Sequence, residues 1–293
     1  MNNKFLFIGL GNIGLPIANR ISKLKFKNFF VYDVNKKIKN KATKNNKYLK
    51  SLNNLSYDFD IIFTCLPNSK SVKLIYNNIT KKNFYTKVFI DFSTISSDLA
   101  LQNKKLAETN GSTYFQVPIF GSPADASIGK LFLLISGAKI NKKKQHDLMV
   151  HKILNFISRD VKYIKDVQTA CKLKIIQNGL GLVQYTAIAE SLLRCYEQKI
   201  DTKLFIETVL LSKGMAFSPL FENYATKMIK KNQKKTASIN LVYKDLSENL
   251  NLIKKIRYDS LFKQTHKIYK KLILNDYGDN SHLELLRYLK NVK

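Results

Sequence analysis

Three closely spaced glycines near the N-terminus have a spacing that suits phosphate binding. They lie in residues 9–14, GLGNIG, between a short apolar run and a helical pattern. The first glycine allows a tight turn, the second lets a pyrophosphate approach the backbone, and the third lets helix and strand pack closely. The N–H groups that open the helix then face the phosphates. The segment predicts a dinucleotide-binding loop whose contacts are Gly9, Gly11, Asn12, Ile13 and Gly14.

An aspartate ends the next predicted strand at Asp33, about 20 residues beyond the glycines, where dinucleotide-binding domains carry an acidic side chain. A carboxylate there accepts hydrogen bonds from the adenosine ribose hydroxyls and repels a 2′-phosphate. The position therefore favours NAD over NADP. NADP stays open, because Lys36 and Lys37 lie nearby in the sequence and would attract a phosphate.

Lys174 and Asn178 are spaced at i and i+4 within a long helical pattern. That spacing places both side chains on one face of a helix, about one turn apart. A lysine in a closed cleft loses its proton more readily than in water, because burial disfavours the charged form. A lysine and an amide so placed could serve as a general acid/base and as a ligand for substrate oxygens. Taken without other motifs, Lys174 is more simply one surface lysine among many.

Strand and helix patterns alternate through the first half of the chain, and only helical patterns follow. Predicted strands cover 4–8, 29–33, 60–65, 86–91, 113–117, 131–136 and 161–164, with helices at 15–25, 69–78 and 97–109. Later helices are predicted at 171–198, 203–211, 220–230, 240–257, 261–274 and 283–289. Such a pattern predicts an α/β Rossmann-type domain with a doubly wound parallel sheet over 1–163, followed by an all-α domain over 164–293.

The composition points away from several other classes. The net charge is +29, with 50 Lys and Arg against 21 Asp and Glu. Nearly all of the positive charge is lysine spread along the chain, whereas base and phosphate readers rely on arginine. Nucleic-acid binding is thus disfavoured, and an AT-rich coding sequence would produce the same excess of lysine and asparagine.

Neither a metal site, a disulfide framework nor a membrane segment is expected. The 3 cysteines and 4 histidines are scattered without ligand spacing, and no apolar run reaches the roughly 18 residues that a span needs. The N-terminus lacks the features of a signal peptide, so a cytoplasmic location is expected.

Ordered motifs along most of the chain resemble the β-hydroxyacid dehydrogenases, typified by 3-hydroxyisobutyrate dehydrogenase. The similar segments are GLGNIGLPIANR at 9–20, LPN at 66–68, DFST at 91–94, PIFGS at 118–122 with GKL at 129–131, the KxxxN of Lys174 and Asn178, and KDL at 244–246. The glycine-rich segment alone is a weak signal, but the ordered set makes chance similarity improbable.

The resemblance implies hydride transfer between NAD(P) and a 3-hydroxy acid or the corresponding semialdehyde, with Lys174 as general acid/base. It implies that Lys244 approaches the nicotinamide end of the cofactor and that other residues line the cofactor cleft: Leu66, Pro67, Ser71 and Thr94. It also implies a substrate-binding segment at Phe120, Gly121 and Ser122, and a homodimer or homotetramer.

One departure from the family pattern leaves the substrate open. Phe120 stands where the family has a serine that grips the substrate carboxylate, and a phenyl ring donates no hydrogen bond. Ser122 or the backbone at Gly121 would have to replace it. A reductase of another carbonyl or an imine therefore remains an alternative, as does a non-catalytic scaffold that binds dinucleotide or nucleic acid.

Overall fold

The computed structural model describes residues 3–42, 46–52, 59–80, 86–140, 145–230, 236–253 and 260–291. The chain divides into two compact units, Met1–Lys174 and Ile175–Lys293. The predicted end of the α/β domain, residue 163, coincides with the end of the last strand, but the first unit also includes the start of the following helix.

The first unit is built on a single mixed sheet. Its strands are β1 Lys4–Ile8, β2 Asn28–Tyr32, β3 Lys47–Tyr48, β4 Ile61–Thr64, β5 Val88–Asp91, β6 Thr113–Gln116, β7 Ile119–Phe120, β8 Leu131–Gly137 and β9 Ser158–Tyr163. Its helices are α1 Gly14–Ser22, α2 Ser69–Thr80, α3 Ser97–Thr109, α4 Pro123–Ile128 and α5 Gln145–Ile157, besides a short 3-10 helix at Lys36–Lys41.

Strand order along the sheet is β3-β2-β1-β4-β5-β6-β8-β7, and β9 also pairs with β8. The strands from β3 to β6 are parallel. The order reverses between β1 and β4, which creates the switch point where open parallel sheets bind ligands at the carboxyl ends of their strands. The predicted doubly wound parallel sheet is therefore confirmed.

Apolar residues on both faces explain why the central strands are parallel. Phe5 and Phe7 of β1 belong to one buried cluster, whereas Leu6 and Ile8 belong to another. Since successive strand side chains point to opposite faces, helices must cover both sides of the sheet.

The sheet edge near β8 differs from the predicted pattern. β8 pairs antiparallel with β6 and β7, and β7, α4 and α5 were not predicted. The two-residue strand β7 and the six-residue helix α4 are too short to show a periodicity, and apolar residues of α5 are few in its first turn.

Helices make up the described part of the second unit, as predicted. α6 Val167–Glu197 starts in the first unit and continues into the second, and it is followed by α7 Thr202–Ser212, α8 Pro219–Ile229, α9 Ile239–Leu250, α10 Leu261–Leu274 and α11 Leu285–Asn291, with a short 3-10 helix at His282–Glu284. Tyr185, Leu192, Ile239, Leu246 and Tyr269 are among the residues that form one buried apolar core. Within the described ranges, no helix is long and apolar enough to cross a membrane.

The helix predicted at 240–257 was too long at its C-terminal end. α9 ends at Leu250, and Asn251 caps it before a turn at Leu252. Asn249 and Asn251 favour such a turn over helix continuation. The last part of the prediction, 254–257, lies outside the described residues.

Lysine occupies left-handed backbone positions at three chain reversals that follow helices. The φ angles are +55° at Lys25, +56° at Lys199 and +46° at Lys213. Lys213 is the C-terminal cap of α7, a position where glycine is ordinarily preferred because it has no Cβ.

Candidate cofactor and active site

The glycine-rich loop is packed tightly at two glycines and open at the third. Gly9 has φ +98°, and a Cβ there would collide with the backbone of Cys65. A Cβ on Gly14 would collide with the carbonyl of Gly9, whereas a Cβ on Gly11 would meet nothing within 4 Å. The loop therefore leaves bare, accessible backbone at Gly11, which is what close approach of a pyrophosphate requires.

The N-terminus of α1 has no side chain competing for its N–H groups. Ile13 precedes the helix and makes no side-chain cap, and no acidic residue lies in the first turn. The backbone N–H groups at this end and the positive end of the helix dipole suit a phosphate. Asn12 and Ile13 lie in the turn immediately before α1, and their contact with the cofactor stays a prediction.

Asp33 does more than the sequence indicated. It directly follows β2, and its Oδ2 accepts a hydrogen bond of 2.7 Å from the backbone N–H of Leu10. Its Oδ1 accepts another, also 2.7 Å, from the N–H of Asn35. Each carboxylate oxygen has a second lone pair for a ligand hydroxyl. Asp33 thus fixes the glycine-rich loop through Leu10, and its contact with the ribose stays a prediction.

Leu66 lies against the glycine-rich loop. Its Cδ2 is 3.0 Å from the position that a Cβ on Gly9 would take, and its N–H donates a 2.9 Å hydrogen bond to Ser93 Oγ. Pro67 is the exposed next residue, and Thr94 follows Ser93 half-buried. Leu66, Pro67 and Thr94 therefore follow the carboxyl ends of β4 and β5, and Leu66 lies against Gly9.

Ser71 lies in the first turn of α2, where its N–H donates a 2.8 Å hydrogen bond to Asn68 Oδ1. Its backbone thus helps to form the turn that starts the helix. The half-buried Ser71 hydroxyl stays a predicted cofactor contact.

Lys174 and Phe120 are neighbours in the first unit. Lys174 Nζ lies 4.3 Å from the centroid of the Phe120 ring, within the range of a cation–π interaction. In the sequence, Phe120 stood out because it lacks a hydrogen-bond donor. The structure adds that its ring positions the terminal amine of the candidate acid/base.

Ser122 is engaged by its own helix. It caps α4, and its N–H and hydroxyl each donate a 2.7 Å hydrogen bond to Asp125 Oδ2. This capping box satisfies both donors that were predicted to hold a substrate anion. The hydrogen bonds from Ser122 hold the pKa of the Asp125 carboxyl below its usual value. Gly121, with φ +139°, is exposed beside it.

Asn178 and Lys244 share one carboxylate in the second unit. Asn178 Nδ2 donates a 3.0 Å hydrogen bond to Asp245 Oδ2. Lys244 Nζ forms an ion pair with Asp245 Oδ1 at 2.8 Å, but the angles do not meet the geometry of a hydrogen bond. Asp245 was not predicted as a site residue, and a carboxylate between a lysine and an amide on separate helices was not visible in the sequence.

Asp91, the first residue of the DFST segment, was given no role in the site by the sequence. It ends β5 with no exposed surface, and its Oδ1 accepts a 2.9 Å hydrogen bond from the N–H of Ser93. The available signal was an acidic residue closing the otherwise apolar strand VFID.

A scan of family models matches residues 4–164 to the NAD binding domain of 6-phosphogluconate dehydrogenase. The chain belongs to the β-hydroxyacid dehydrogenase family. Its first unit is thus a nicotinamide dinucleotide-binding domain, and the open backbone at Gly11 fits such a ligand.

Relatives in the family are distant in sequence. The chain is 27% identical over 216 residues to mouse 3-hydroxyisobutyrate dehydrogenase, covering 72% of this chain and 63% of that protein. It is 24% identical over 227 residues to 2-(hydroxymethyl)glutarate dehydrogenase of Eubacterium barkeri, covering 73% and 71%. The alignment thus spans less than two thirds of the mouse protein.

Among solved structures, 3-hydroxyisobutyrate dehydrogenase from Salmonella typhimurium matches with a TM-score of 0.82 at 17% identity, covering 98% of this chain and 99% of that one. At that identity the likeness concerns the fold.

In the described ranges, no group of three or more His, Cys, Asp or Glu side chains could hold a metal ion.

Proposed function

We propose that this protein is an NAD(P)-dependent oxidoreductase that interconverts a 3-hydroxy acid and the corresponding semialdehyde or carbonyl compound. The observation that carries the proposal is the open backbone at Gly11, held between two tightly packed glycines beside Asp33. Family membership and the dehydrogenase names of the relatives support the same reaction class.

The chain's own residues would divide the work as follows. Gly11, Asn12 and the N-terminus of α1 bind the pyrophosphate, while Leu66, Pro67, Ser71 and Thr94 line the cofactor site. Bound nicotinamide supplies the hydride acceptor or donor. Lys244, which forms an ion pair with Asp245, is proposed to approach the nicotinamide end.

Lys174 is proposed to move the proton. In the oxidation direction its neutral amine takes the proton of the substrate hydroxyl, and in the reduction direction its ammonium group returns a proton to the nascent alkoxide. The Phe120 ring restricts where Nζ can lie. Asn178 is proposed to hold the substrate oxygens.

NAD is the proposed preferred cofactor. Asp33 is fixed by two backbone donors, so a 2′-phosphate would meet an immobile carboxylate. That repulsion weakens the binding of NADP, whereas the ribose hydroxyls of NAD can donate hydrogen bonds to the same oxygens.

The proposal is tested by a cofactor titration followed by a substrate screen. The chain has no tryptophan, so isothermal calorimetry and the fluorescence of NADH itself are suitable for measuring binding. A screen at 340 nm would then cross both reduced cofactors with semialdehydes, glyoxylate and aromatic carbonyls. Dinucleotide binding with turnover of a semialdehyde supports the proposal. Absence of dinucleotide binding refutes it.

A second candidate function, reduction of a carbonyl compound or imine without a carboxylate, is favoured by the substrate segment. Phe120 offers a ring, and both donors of Ser122 are satisfied by Asp125. Binding a carboxylate at Ser122 would require this capping box to open. Turnover of aromatic carbonyls but not of semialdehyde acids in the same screen would favour this candidate.

Assembly and location are also proposals. We propose a homodimer or homotetramer in the cytoplasm. Large apolar side chains exposed on the second unit, such as Leu204, Leu211 and Met215, support self-association, and the free cysteines suit a reducing compartment. Light scattering would give the oligomer mass.

A scaffold that binds DNA is the remaining alternative, and tight, salt-sensitive DNA binding without NADH binding would favour it.

A further inference from the structure

A buried carboxylate is connected to the glycine-rich loop through successive contacts in the first unit. Asp91 Oδ1 accepts from the N–H of Ser93 at 2.9 Å. Ser93 Oγ in turn accepts from the N–H of Leu66 at 2.9 Å, and Leu66 packs against Gly9. Asp91 therefore orders the segment after β5 and, through Ser93, the turn after β4.

A second set of hydrogen bonds holds the same segment from β6. Gln116 Nε2 donates to the carbonyls of Asp91 and Ser93 at 3.2 and 3.0 Å. Tyr114 Oη donates to Gln116 Oε1 at 2.7 Å. These bonds hold the backbone carbonyls of the segment. The Asp91 side chain adds a different hydrogen bond, the one that its carboxylate accepts from the Ser93 N–H.

This placement is unfavourable for a charge. Burial raises the pKa of Asp91 to about 6, although the hydroxyls of Ser93, Thr64 and Tyr114 lower it in part. Among the described residues, Asp91 Oδ2 has no partner with hydrogen-bond geometry. A buried carboxylate with one oxygen lacking a hydrogen bond destabilises a fold, so its presence needs an explanation other than stability.

The groups that face Asp91 do not titrate in the same range. Burial raises the pKa of Cys65 to about 12, and the pKa values of Tyr76 and Tyr114 are raised well above their usual value by burial and by Asp91 itself. Asp91 is thus the group of this described cluster that changes charge near pH 6.

We propose that Asp91 is a positioning residue whose ionised carboxylate holds Ser93 and the Leu66 turn in the conformation that binds the dinucleotide. The inference rests on the proposed cofactor binding. A hydrogen bond from an N–H to an anion is stronger than one to a neutral oxygen. Loss of the charge therefore loosens the Ser93 segment without removing any group that touches the cofactor.

The test compares wild type with Asp91→Asn, which keeps the oxygen that accepts from Ser93 but removes the charge. NADH affinity is measured from pH 5 to pH 8. We expect wild-type affinity to fall as the pH drops through about 6. The variant should bind NADH about tenfold more weakly at pH 8 and show no such fall.

Hydrogen exchange without cofactor gives an independent measurement. After correction for intrinsic rates, the Leu66 and Ser93 amides should exchange faster in Asp91→Asn at pH 8 than in wild type. In wild type they should also exchange faster at pH 5 than at pH 8. This readout separates the two hypotheses: wild type that fails to bind NADH refutes the cofactor proposal, whereas the exchange comparison still tests the role of Asp91.

Two further variants serve as controls. Asp147→Asn alters another buried aspartate of the same unit and should leave NADH affinity and its pH dependence unchanged. Ser93→Ala removes the hydroxyl that accepts from Leu66 and should speed exchange at Leu66 while Asp91 still titrates. If Asp91→Asn matches wild type in exchange and in the pH dependence of affinity, the inference is wrong.

Discussion

Lys174 Nζ lies 4.3 Å from the centroid of the Phe120 ring, in the same unit as the glycine-rich loop. An aromatic face attracts the ammonium form of lysine and restricts the positions of a long, flexible side chain. The Phe120 ring therefore restricts the position of the Lys174 amine before any substrate binds.

Replacing Lys174 with methionine should abolish turnover and spare cofactor binding. The proton-transfer group is lost while the length of the side chain is kept, so we expect kcat to fall by on the order of 10²–10⁴-fold. Stopped-flow absorbance at 340 nm and an NADH titration would measure the two effects. Lys172→Met, at an exposed position of the same helix, is the matched control. Normal turnover in Lys174→Met would rule out its role.

Substituting alanine for Gly11 should block the dinucleotide without harming the fold. An added Cβ there meets no protein atom within 4 Å, but it would occupy the space through which a pyrophosphate approaches the backbone. We expect NADH affinity to fall at least tenfold with little change in Tm. Gly181→Ala is the control, since it also has open space around its Cβ position but lies on α6. Unchanged NADH affinity in Gly11→Ala would contradict the proposed binding mode.

Asp33→Asn should weaken discrimination between the cofactors. The amide removes the negative charge that would repel a 2′-phosphate, and it also weakens the link to the Leu10 N–H. We expect NADH affinity to drop several-fold and the ratio of the Kd for NADPH to that for NADH to fall about tenfold. Calorimetry with both cofactors would give the ratio. An unchanged ratio would mean that another residue sets the preference.

His282 should make the second unit sensitive to acid. Its ring stacks 4.4 Å from that of Tyr185, its Nδ1 has no partner among the described residues, and burial lowers its pKa from 6.5 to about 4. As the pH falls, His282 is therefore protonated in the unfolded chain before it is protonated in the folded protein. The contribution of the neutral His282 ring to stability is complete above pH 6.5 and is lost as the pH falls toward 4, by on the order of 3 kcal/mol in total.

The His282→Phe variant keeps a stacking ring that cannot be charged. Its Tm should depend less on pH than that of wild type between pH 6.5 and 4, measured by circular dichroism. His151→Phe, on α5 of the first unit, should retain the wild-type dependence. Asp91 contributes the opposite slope, because its raised pKa makes the folded state bind protons more tightly between about pH 4 and 6. The slope of Tm against pH is therefore compared between each variant and wild type. An equal slope in His282→Phe and wild type would contradict the role of His282.

The sequence predicted the elements whose patterns are long or chemically constrained. A buried strand FLFI followed by GLGNIG commonly forms a strand, a tight loop and a helix. The first strand, the loop and α1 could therefore be predicted. The helical second half followed from periodicity. In contrast, β7 and α4 are set by pairing with β8 and by the capping box at Ser122, which depend on contacts rather than on local pattern.

The candidate site was predicted residue by residue but not as a network. Spacing identified Asp33, and the resemblance to the family identified Lys174 and Asn178. It did not indicate that Asp33 holds the Leu10 N–H or that Asp245 bridges Asn178 and Lys244. These links join residues far apart in the chain, and no single-sequence pattern specifies which distant donor a carboxylate will meet.

The lysines at Lys25, Lys199 and Lys213 give the unusual composition a structural meaning. Each adopts a backbone conformation that costs a residue with a Cβ about 1 kcal/mol, and a glycine would relieve it. Glycine codons are rich in guanine, whereas lysine codons are rich in adenine. A mutational drift toward adenine and thymine would therefore lower the free energy of unfolding at such chain reversals, long before it reached Gly9 and Gly14 of the glycine-rich loop, where a Cβ would collide with the backbone.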